Sequence, residues 1–239
     1  MASLIPTDVI RISSQTTSRA LWRVNEMSPC RIPTMPSGFA KLDAELPGAG
    51  WPKSALIELL FLHSGVGELQ ILKPAIAAIT RSQRVVLIQP PYVPNGAVIR
   101  NWGIRSDHVC WLKTHSTADA LWSAEQILKN GSCGAIILWL NNVRIERLRR
   151  LNLAAQSADT CLWVMRPLSV QQELSPALLR LALRPALGGV NVNVIKRRGS
   201  IKDEAMYIPL PDMPARRYKL ESEYAFLDQR ASTTTAVRE

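Results

Sequence analysis

The sequence predicts an α/β domain with a mainly parallel central sheet and a closing antiparallel hairpin. Three observations support this fold class. From about residue 51 onward, short β-branched apolar runs alternate with longer segments of helical periodicity, which is typical of strand–helix units. A turn is expected across residues 185–189, so the two runs that flank it should pair antiparallel. A chain of 239 residues with 47% hydrophobic composition suffices for one sizeable core.

Short apolar segments are the strand candidates. The first five are expected to form the parallel part of the sheet, and the last two are expected to form the hairpin. In chain order they cover residues 57–61, 85–89, 109–112, 135–140, 160–165, 178–183 and 190–196. Between the last parallel strand and the hairpin, residues 171–176 are predicted to form a loop.

Residues 118–129 and 145–155 have the clearest helical periodicity. The first helix should end at Gly131, a residue type that favours helix termination. Its residues that we expect on one face are Ala118, Leu121, Trp122, Glu125 and Leu128. In the second helix, Arg147 and Arg150 are expected to point away from the apolar face.

The domain organisation is predicted to be one core with two flanking segments. We expect residues 1–50 to form an N-terminal arm and lead-in segment, residues 51–212 to form the core, and residues 213–239 to form a flexible, basic tail. Leu21 and Trp22 give the arm an amphipathic stretch outside the core, and they are the candidate protein interface. This stretch could pack on a neighbouring protomer or fold back on its own sheet, and the sequence favours neither.

Charge and composition restrict the partners and the compartment. The net charge of +10 and the pI near 9.9 favour polyanionic partners. The longest apolar run covers residues 135–140, far short of the roughly 20 residues that span a bilayer, so no membrane partner is expected. Pro6, Asp8 and Arg11 interrupt the N-terminus before a signal peptide could form. Four dispersed cysteines suggest reduced, packed thiols, and therefore a cytoplasmic protein.

Candidate metal and nucleophile sites are weak. The three histidines and Cys110 offer one H-x-C spacing, between His108 and Cys110, whereas a metal site needs three or four ligands with fixed geometry. The G-x-S-x-G nucleophile elbow is absent from the sequence. We therefore expect no metal and no catalytic residue.

The segment between the first parallel strand and the following helix is a degenerate phosphate-binding loop. In the pattern G-x-x-x-x-G-K-[ST], glycines allow close backbone approach, lysine binds phosphate and the hydroxyl binds magnesium. When Gly67 is aligned with the second glycine of the pattern, Glu68 occupies the lysine position and Leu69 the Ser/Thr position. Gly65 then lies within the loop. A carboxylate repels a triphosphate, so we expect a simple glycine turn that binds no cofactor.

Pro74 supports the same expectation. A proline inside a helix removes one hydrogen bond and costs about 3 kcal/mol. The helix is therefore expected either to kink at Pro74 or to begin late, with Pro74 in its first turn. In both cases the helix N-terminus would be a poor phosphate site.

Several segments, in their order along the chain, are similar to segments of known proteins. Residues 36–43, 47–52 and 57–58 are similar to the stretch that leads into the phosphate loop of RecA. A second set consists of Gly65-Val66-Gly67-Glu68-Leu69 and residues 120–126, 133–140 and 195–199. This set resembles, more narrowly, the ImuA family, the RecA-like component of bacterial mutagenic translesion synthesis. The resemblance covers residues from about 20 to about 210 and implies a RecA-like core.

The resemblance also implies that the ATPase residues are missing. The RecA glutamate that orients the attacking water falls at Pro91, and the aspartate that ends the Walker B strand falls near Trp139. Neither side chain can supply the positioning and charge neutralisation that phosphoryl transfer needs. The expected function is that of a non-catalytic accessory protein of SOS-induced mutagenic translesion DNA synthesis. The implied partners are an ImuB-like Y-family polymerase homologue and an error-prone replicative-type DNA polymerase, with RecA as a further candidate, at the bacterial nucleoid.

A second resemblance leaves an alternative open. Residues 136–139, 148–150 and 164–167 are similar to SulA, the SOS-induced inhibitor of FtsZ. The alternative function is therefore inhibition of cell division by binding to FtsZ. Chain length weighs against it, because the arm and the closing hairpin match RecA-like chains better than the shorter SulA.

Basic residues in the second half of the chain are the candidate DNA contacts. Residues 141–220 hold 14 Lys/Arg against 6 Asp/Glu, so they supply +8 of the net charge. The candidates are Arg147, Arg150, Lys196, Arg197 and Arg198. Such side chains would bind the phosphate backbone, so we expect any DNA binding to be independent of sequence and sensitive to salt.

Overall fold

Strands and helices alternate along the chain. The computed structural model describes residues 33–201 and 203–211. In chain order its elements are β1 (Thr34–Met35), α1 (Ala40–Glu45), β2 (Trp51–Pro52), β3 (Ala55–Phe61), α2 (Glu68–Ile79), β4 (Val85–Ile88), α3 (Gly96–Asn101), β5 (Val109–Leu112), α4 (Thr117–Asn130), β6 (Ala135–Trp139), α5 (Ile145–Gln156), β7 (Cys161–Pro167), β8 (Leu179–Ala186), β9 (Gly189–Lys196) and β10 (Met206–Pro209). The predicted interface at Leu21 and Trp22 and the predicted tail, residues 213–239, lie outside the described residues.

The main sheet is mostly parallel. Among the described residues it has eight strands, in the order β10-β9-β8-β3-β7-β6-β4-β5. The six strands β8, β3, β7, β6, β4 and β5 are parallel to one another. Strand β9 is antiparallel to both of its neighbours, β8 and β10. The predicted α/β fold class, with its parallel sheet and closing antiparallel hairpin, is confirmed. The additional edge strand β10 was not predicted from the sequence.

Helices cover both faces of the sheet. On one face, α1 and α2 pack on residues such as Ile57, Leu59 and Ile137. On the other face, α4 and α5 pack on residues such as Leu56 and Ile136. Strands buried on both faces have nearly continuous apolar sequences, which explains why β3, β6 and β7 were recognisable as strand candidates. The rings of Trp51 and Trp163 meet edge to face, with centroids 6.0 Å apart, in the first of these layers.

The hairpin is longer than predicted. Pro185 pairs with Val190 inside the ladder, so the turn narrows to Leu187 and Gly188. Gly188 has a φ of 69°, in the left-handed region that glycine adopts without strain. The glycine rather than the proline therefore makes the turn.

Four of the residues predicted to share a face of α4 line one cleft, but this face is only partly buried. Leu121 and Leu128 are buried, together with Ala120 and Ala124, but Trp122 is 63% exposed. Successive helical residues are about 100° apart, so a stripe centred on Ala120 and Ala124 places Trp122 on the outer side. In α5, Leu148 and Leu151 are buried and Arg147 and Arg150 are exposed, as predicted.

Two further properties follow from the described residues. Within residues 33–201 and 203–211, no helix combines the length and apolar character needed to span a membrane. Cys133 and Cys161 are buried free thiols. Burial raises the pKa of Cys133 to about 11 and that of Cys161 to about 12, so both remain protonated at neutral pH.

Candidate functional site

The loop between β3 and α2 lies at the carboxyl end of a central parallel strand. Ligand sites of open α/β sheets lie at this edge. Gly65 and Gly67 have φ values of 95° and 104°, and both therefore use conformations that disfavour other residues. Helix α2 begins at Glu68, directly after Gly67.

Of the two alternatives expected for Pro74, a kink or a delayed start of the helix, the delayed start is wrong. Helix α2 runs from Glu68 through Pro74 to Ile79. Pro74 removes only one helical hydrogen bond, and its ring packs closely on Gly38, where an added Cβ would lie 2.5 Å from Pro74 Cβ. The chain therefore keeps a glycine loop followed at once by a helix N-terminus, an arrangement that binds anions in phosphate loops.

The carboxylate of Glu68 is bound inside this loop. Its two oxygens accept hydrogen bonds from the backbone N–H of Gly65, at 2.9 and 3.0 Å, and the side chain is nearly buried, at 5% exposure. Burial raises the pKa of Glu68, while the backbone N–H groups of residues 65–68 oppose this by stabilising the charged form. Glu68 thus places an anion of the chain itself among the N–H groups that would face a phosphate.

An apolar groove adjoins the loop. It has a volume of about 210 Å³, and Glu68, Pro91 and Trp139 are among its lining residues. Pro91 and Trp139 are the two positions where the resemblance to RecA would place carboxylates. Both are now part of one apolar surface. The name apolar groove is used below for the surface formed by Leu69, Ile76, Pro90, Pro91, Tyr92, Val93, Pro94, Val98, Ile99, Trp102 and Trp139.

On α5, the two predicted DNA contacts differ in environment. Arg150 Nη2 lies 3.0 Å from Glu125 Oε2 of α4, so an acidic partner already offsets its charge. Arg147 is exposed and lines a small cleft with Arg150 and the exposed Trp122. Of this pair, Arg147 is the better candidate for binding phosphate.

The basic group at the end of β9 is also partly engaged. Lys196 Nζ donates to the carbonyl of Ser175 at 2.7 Å, and Arg197 Nη1 lies 2.7 Å from Glu45 Oε2. Arg198 is exposed. Lys196 lies opposite Arg180 near the amino end of β8, whereas α5 begins beyond the carboxyl end of β6. One basic group therefore lies near the amino ends of the parallel strands, and the other lies nearer their carboxyl ends.

Comparisons with known proteins find similarity to solved structures, but none to a family model or a curated protein. No family model matches the chain, and no curated protein matches it. Among solved structures, the chain is similar to the crystal structure of SulA from Pseudomonas aeruginosa, with a TM-score of 0.40 and 23% sequence identity. The alignment covers 46% of this chain and 97% of the SulA chain. A TM-score of this size is too low to assign fold or function, so both rest on the residues described here.

A buried ionic cluster, which was not predicted from the sequence, lies on β3, β7 and β8. Glu58 is fully buried, with Oε1 3.1 Å from Arg166 Nη1 and Oε2 2.5 Å from Arg180 Nε. The second Nη of Arg166 lies 3.2 Å from Glu173, which is exposed to solvent. A charged residue inside each of three apolar strands was the available signal, because such residues are rarely buried unless they are paired.

Arg180 joins this cluster to the loop that follows β7. Its guanidinium donates to the carbonyl oxygens of Val170, Gln171 and Glu173 at 2.9 to 3.0 Å. The buried guanidinium of Arg180 thus hydrogen-bonds to the backbone of the loop predicted at residues 171–176. Contacts within the protein therefore fix the backbone of this loop.

Proposed function

We propose that this protein is a non-catalytic accessory protein of mutagenic translesion DNA synthesis, in which an ATPase-like fold serves as a platform for assembly. The observation that carries the proposal is the carboxylate of Glu68, which is hydrogen-bonded to Gly65 within the loop. The resemblance to the ImuA family supplies the pathway and the partners.

Electrostatics supports the non-catalytic part of the proposal. Two like charges about 4 Å apart repel by about 1 kcal/mol in water and about 4 kcal/mol at an effective dielectric of 20. A triphosphate at this loop would have to displace the Glu68 carboxylate or meet this repulsion. It would also lack the lysine and the acidic metal ligand on which phosphoryl transfer depends.

Nucleotide binding and turnover test this part. We expect the purified full-length chain to show neither binding of Mg-ATP by calorimetry nor release of phosphate, with or without single-stranded DNA. Glu68→Gln serves as the matched variant, because it removes the charge and keeps the side-chain volume. Turnover of ATP by the unmodified chain, lost when Gly67 is replaced by a bulky residue, would refute the proposal.

Association with polymerases tests the second part. We expect the full-length chain to co-purify with an ImuB-like Y-family polymerase homologue, in both directions of a pull-down, and with an error-prone replicative-type polymerase in a ternary complex. The association should persist in Glu68→Gln, since a platform needs no nucleotide. Failure to associate with the ImuB-like protein from either side would contradict the proposed role.

A further inference from the structure

The apolar groove is exposed and has a rigid wall. Tyr92 and Val93 are each 72% exposed at its rim, an unusual position for large apolar side chains next to one another. Pro90, Pro91 and Pro94 fix the backbone of the loop beside them, so little ordering entropy is lost when a ligand docks. Its volume of about 210 Å³ is below the roughly 300–1,000 Å³ typical of sites for drug-sized molecules. The groove therefore suits a few side chains of a peptide.

The elements that form the groove carry positive charge. In residues 68–79 and 85–104 the charged side chains are Glu68, Lys73 and Arg100. Lys73 Nζ lies 5.9 Å from the ring centroid of Trp102, and Arg100 is exposed on α3. The carboxylate of Glu68 is buried and bound to the backbone of its own loop. An acidic segment with apolar side chains therefore complements this surface.

Residues 220–228 of the chain have this character. They contain three acidic residues, Glu221, Glu223 and Asp228, and no basic residue. Leu220, Tyr224 and Leu227 follow an i, i+4, i+7 spacing, so they share one face when the segment is helical. The other amphipathic stretch, at Leu21 and Trp22, is flanked by Arg19 and Arg23 and has the wrong sign of charge for this groove.

The geometry of the sheet favours docking between two molecules. Strand β10 and strand β4 are six positions apart in the sheet, which corresponds to about 29 Å at about 4.8 Å per strand. Only nine links separate Pro211 from Leu220, and even a fully extended chain of that length spans no more than about 30–32 Å. The effective concentration of the segment at its own groove is therefore low, while a second molecule has no such restriction.

We propose that residues 220–228 of one copy dock in the apolar groove of a second copy, so that the protein self-associates through the edge of the sheet at which its parallel strands end. This inference does not rest on the proposed role in translesion synthesis, and its test needs neither DNA nor a polymerase.

Sedimentation equilibrium of the full-length chain over a range of concentrations tests the proposal. We expect the average mass to rise above that of the monomer, and Val93→Asp in the groove or Leu227→Asp in the segment to weaken the association at least about tenfold. Leu187→Asp is the matched control, because it places the same charge at an exposed leucine in the β8–β9 turn. This control should associate like the unmodified chain.

Two further measurements complete the test. Arg100→Glu should weaken the association, and adding Glu221→Lys with Glu223→Lys in the same chain should restore part of it. A fluorescein-labelled peptide of residues 220–228 should bind the Leu227→Asp chain, and Val93→Asp should abolish peptide binding in the double variant. A monomer at all concentrations overturns the proposal, even where the peptide binds, since the occupant is then the chain's own segment. Association that survives both Val93→Asp and Leu227→Asp overturns it as well.

Discussion

Replacement of Glu58 by glutamine tests the role of the buried ionic cluster in holding β3, β7 and β8 together. Glutamine keeps the volume and one acceptor oxygen but removes the charge that faces Arg166 at 3.1 Å and Arg180 at 2.5 Å. Two guanidinium groups then remain in the interior with one partly exposed carboxylate, that of Glu173, between them and solvent. Removing one partner of a buried ion pair costs about 3–5 kcal/mol, because the remaining charge is desolvated without compensation.

The magnitude can be read from thermal and urea unfolding. For a domain of this size, 1 kcal/mol corresponds to about 2–4 °C in Tm, so Glu58→Gln should lower Tm by about 6–20 °C. Urea titration at constant m-value should give the same change in unfolding free energy. Glu173→Gln is the control, since it removes the solvent-exposed partner of the same Arg166 and should cost less than about 1 kcal/mol. If the unfolding free energy of Glu58→Gln lies within about 1 kcal/mol of that of the unmodified chain, this account of the cluster is refuted.

Three further predictions concern the loop, the thiols and the basic surface. Burial raises the pKa of Glu68, so its carboxyl group stays protonated to higher pH in the folded chain than in the unfolded chain. The contribution of Glu68 to stability therefore falls as the pH rises from the ordinary pKa of the group to the raised pKa. The unfolding free energy of Glu68→Gln, relative to the unmodified chain, should therefore increase across that pH window in urea titrations and stay level above it; a constant difference would contradict the burial of the carboxylate. With pKa values of about 11 and about 12, Cys133 and Cys161 should react with Ellman's reagent at about pH 8 only after denaturation, and fast reaction of either in the native protein would disprove their protection. If the chain binds DNA, Arg147→Ala and Arg198→Ala should each reduce the slope of log K against log salt by about 0.9 in anisotropy titrations with DNA of arbitrary sequence, and an unchanged slope would exclude that residue as a phosphate contact.

The strands and the candidate loop were predictable from local sequence. Strands such as β6 and β7 are buried on both faces, so their apolar runs mark them directly. The register on Gly67 put Glu68 at the lysine position of a phosphate loop, because such a loop is a local pattern of strand, glycines and helix. Helix α2 begins at this residue, although the sequence left open whether it would begin later, at Pro74. Local patterns therefore identified both the class of fold and the residue at its candidate site.

Contacts between distant segments were not predictable in this way. Glu58 pairs with residues 108 and 122 positions away, and no local pattern specifies which buried charges will meet. The buried stripe of α4 includes Ala120 and Ala124, which were not part of the predicted face. The hydrogen bond from Gly65 N–H to the carboxylate of Glu68 depends on the side-chain conformation of Glu68. The sequence indicated only that this carboxylate would repel phosphate.

Glu68 links the two properties proposed for this chain, the absence of nucleotide chemistry and the presence of an assembly surface. In a phosphate loop the backbone N–H groups at the helix N-terminus are completed by an external anion, so the loop is stable only in part without its ligand. Here the carboxylate of Glu68 accepts hydrogen bonds from the backbone N–H of Gly65, so the chain itself satisfies this group of the loop. Pro91 and Trp139, the positions where the resemblance to RecA would place carboxylates, line the adjoining apolar groove. Under the proposed function, the edge of the sheet that would hold a nucleotide serves instead as a surface for binding protein.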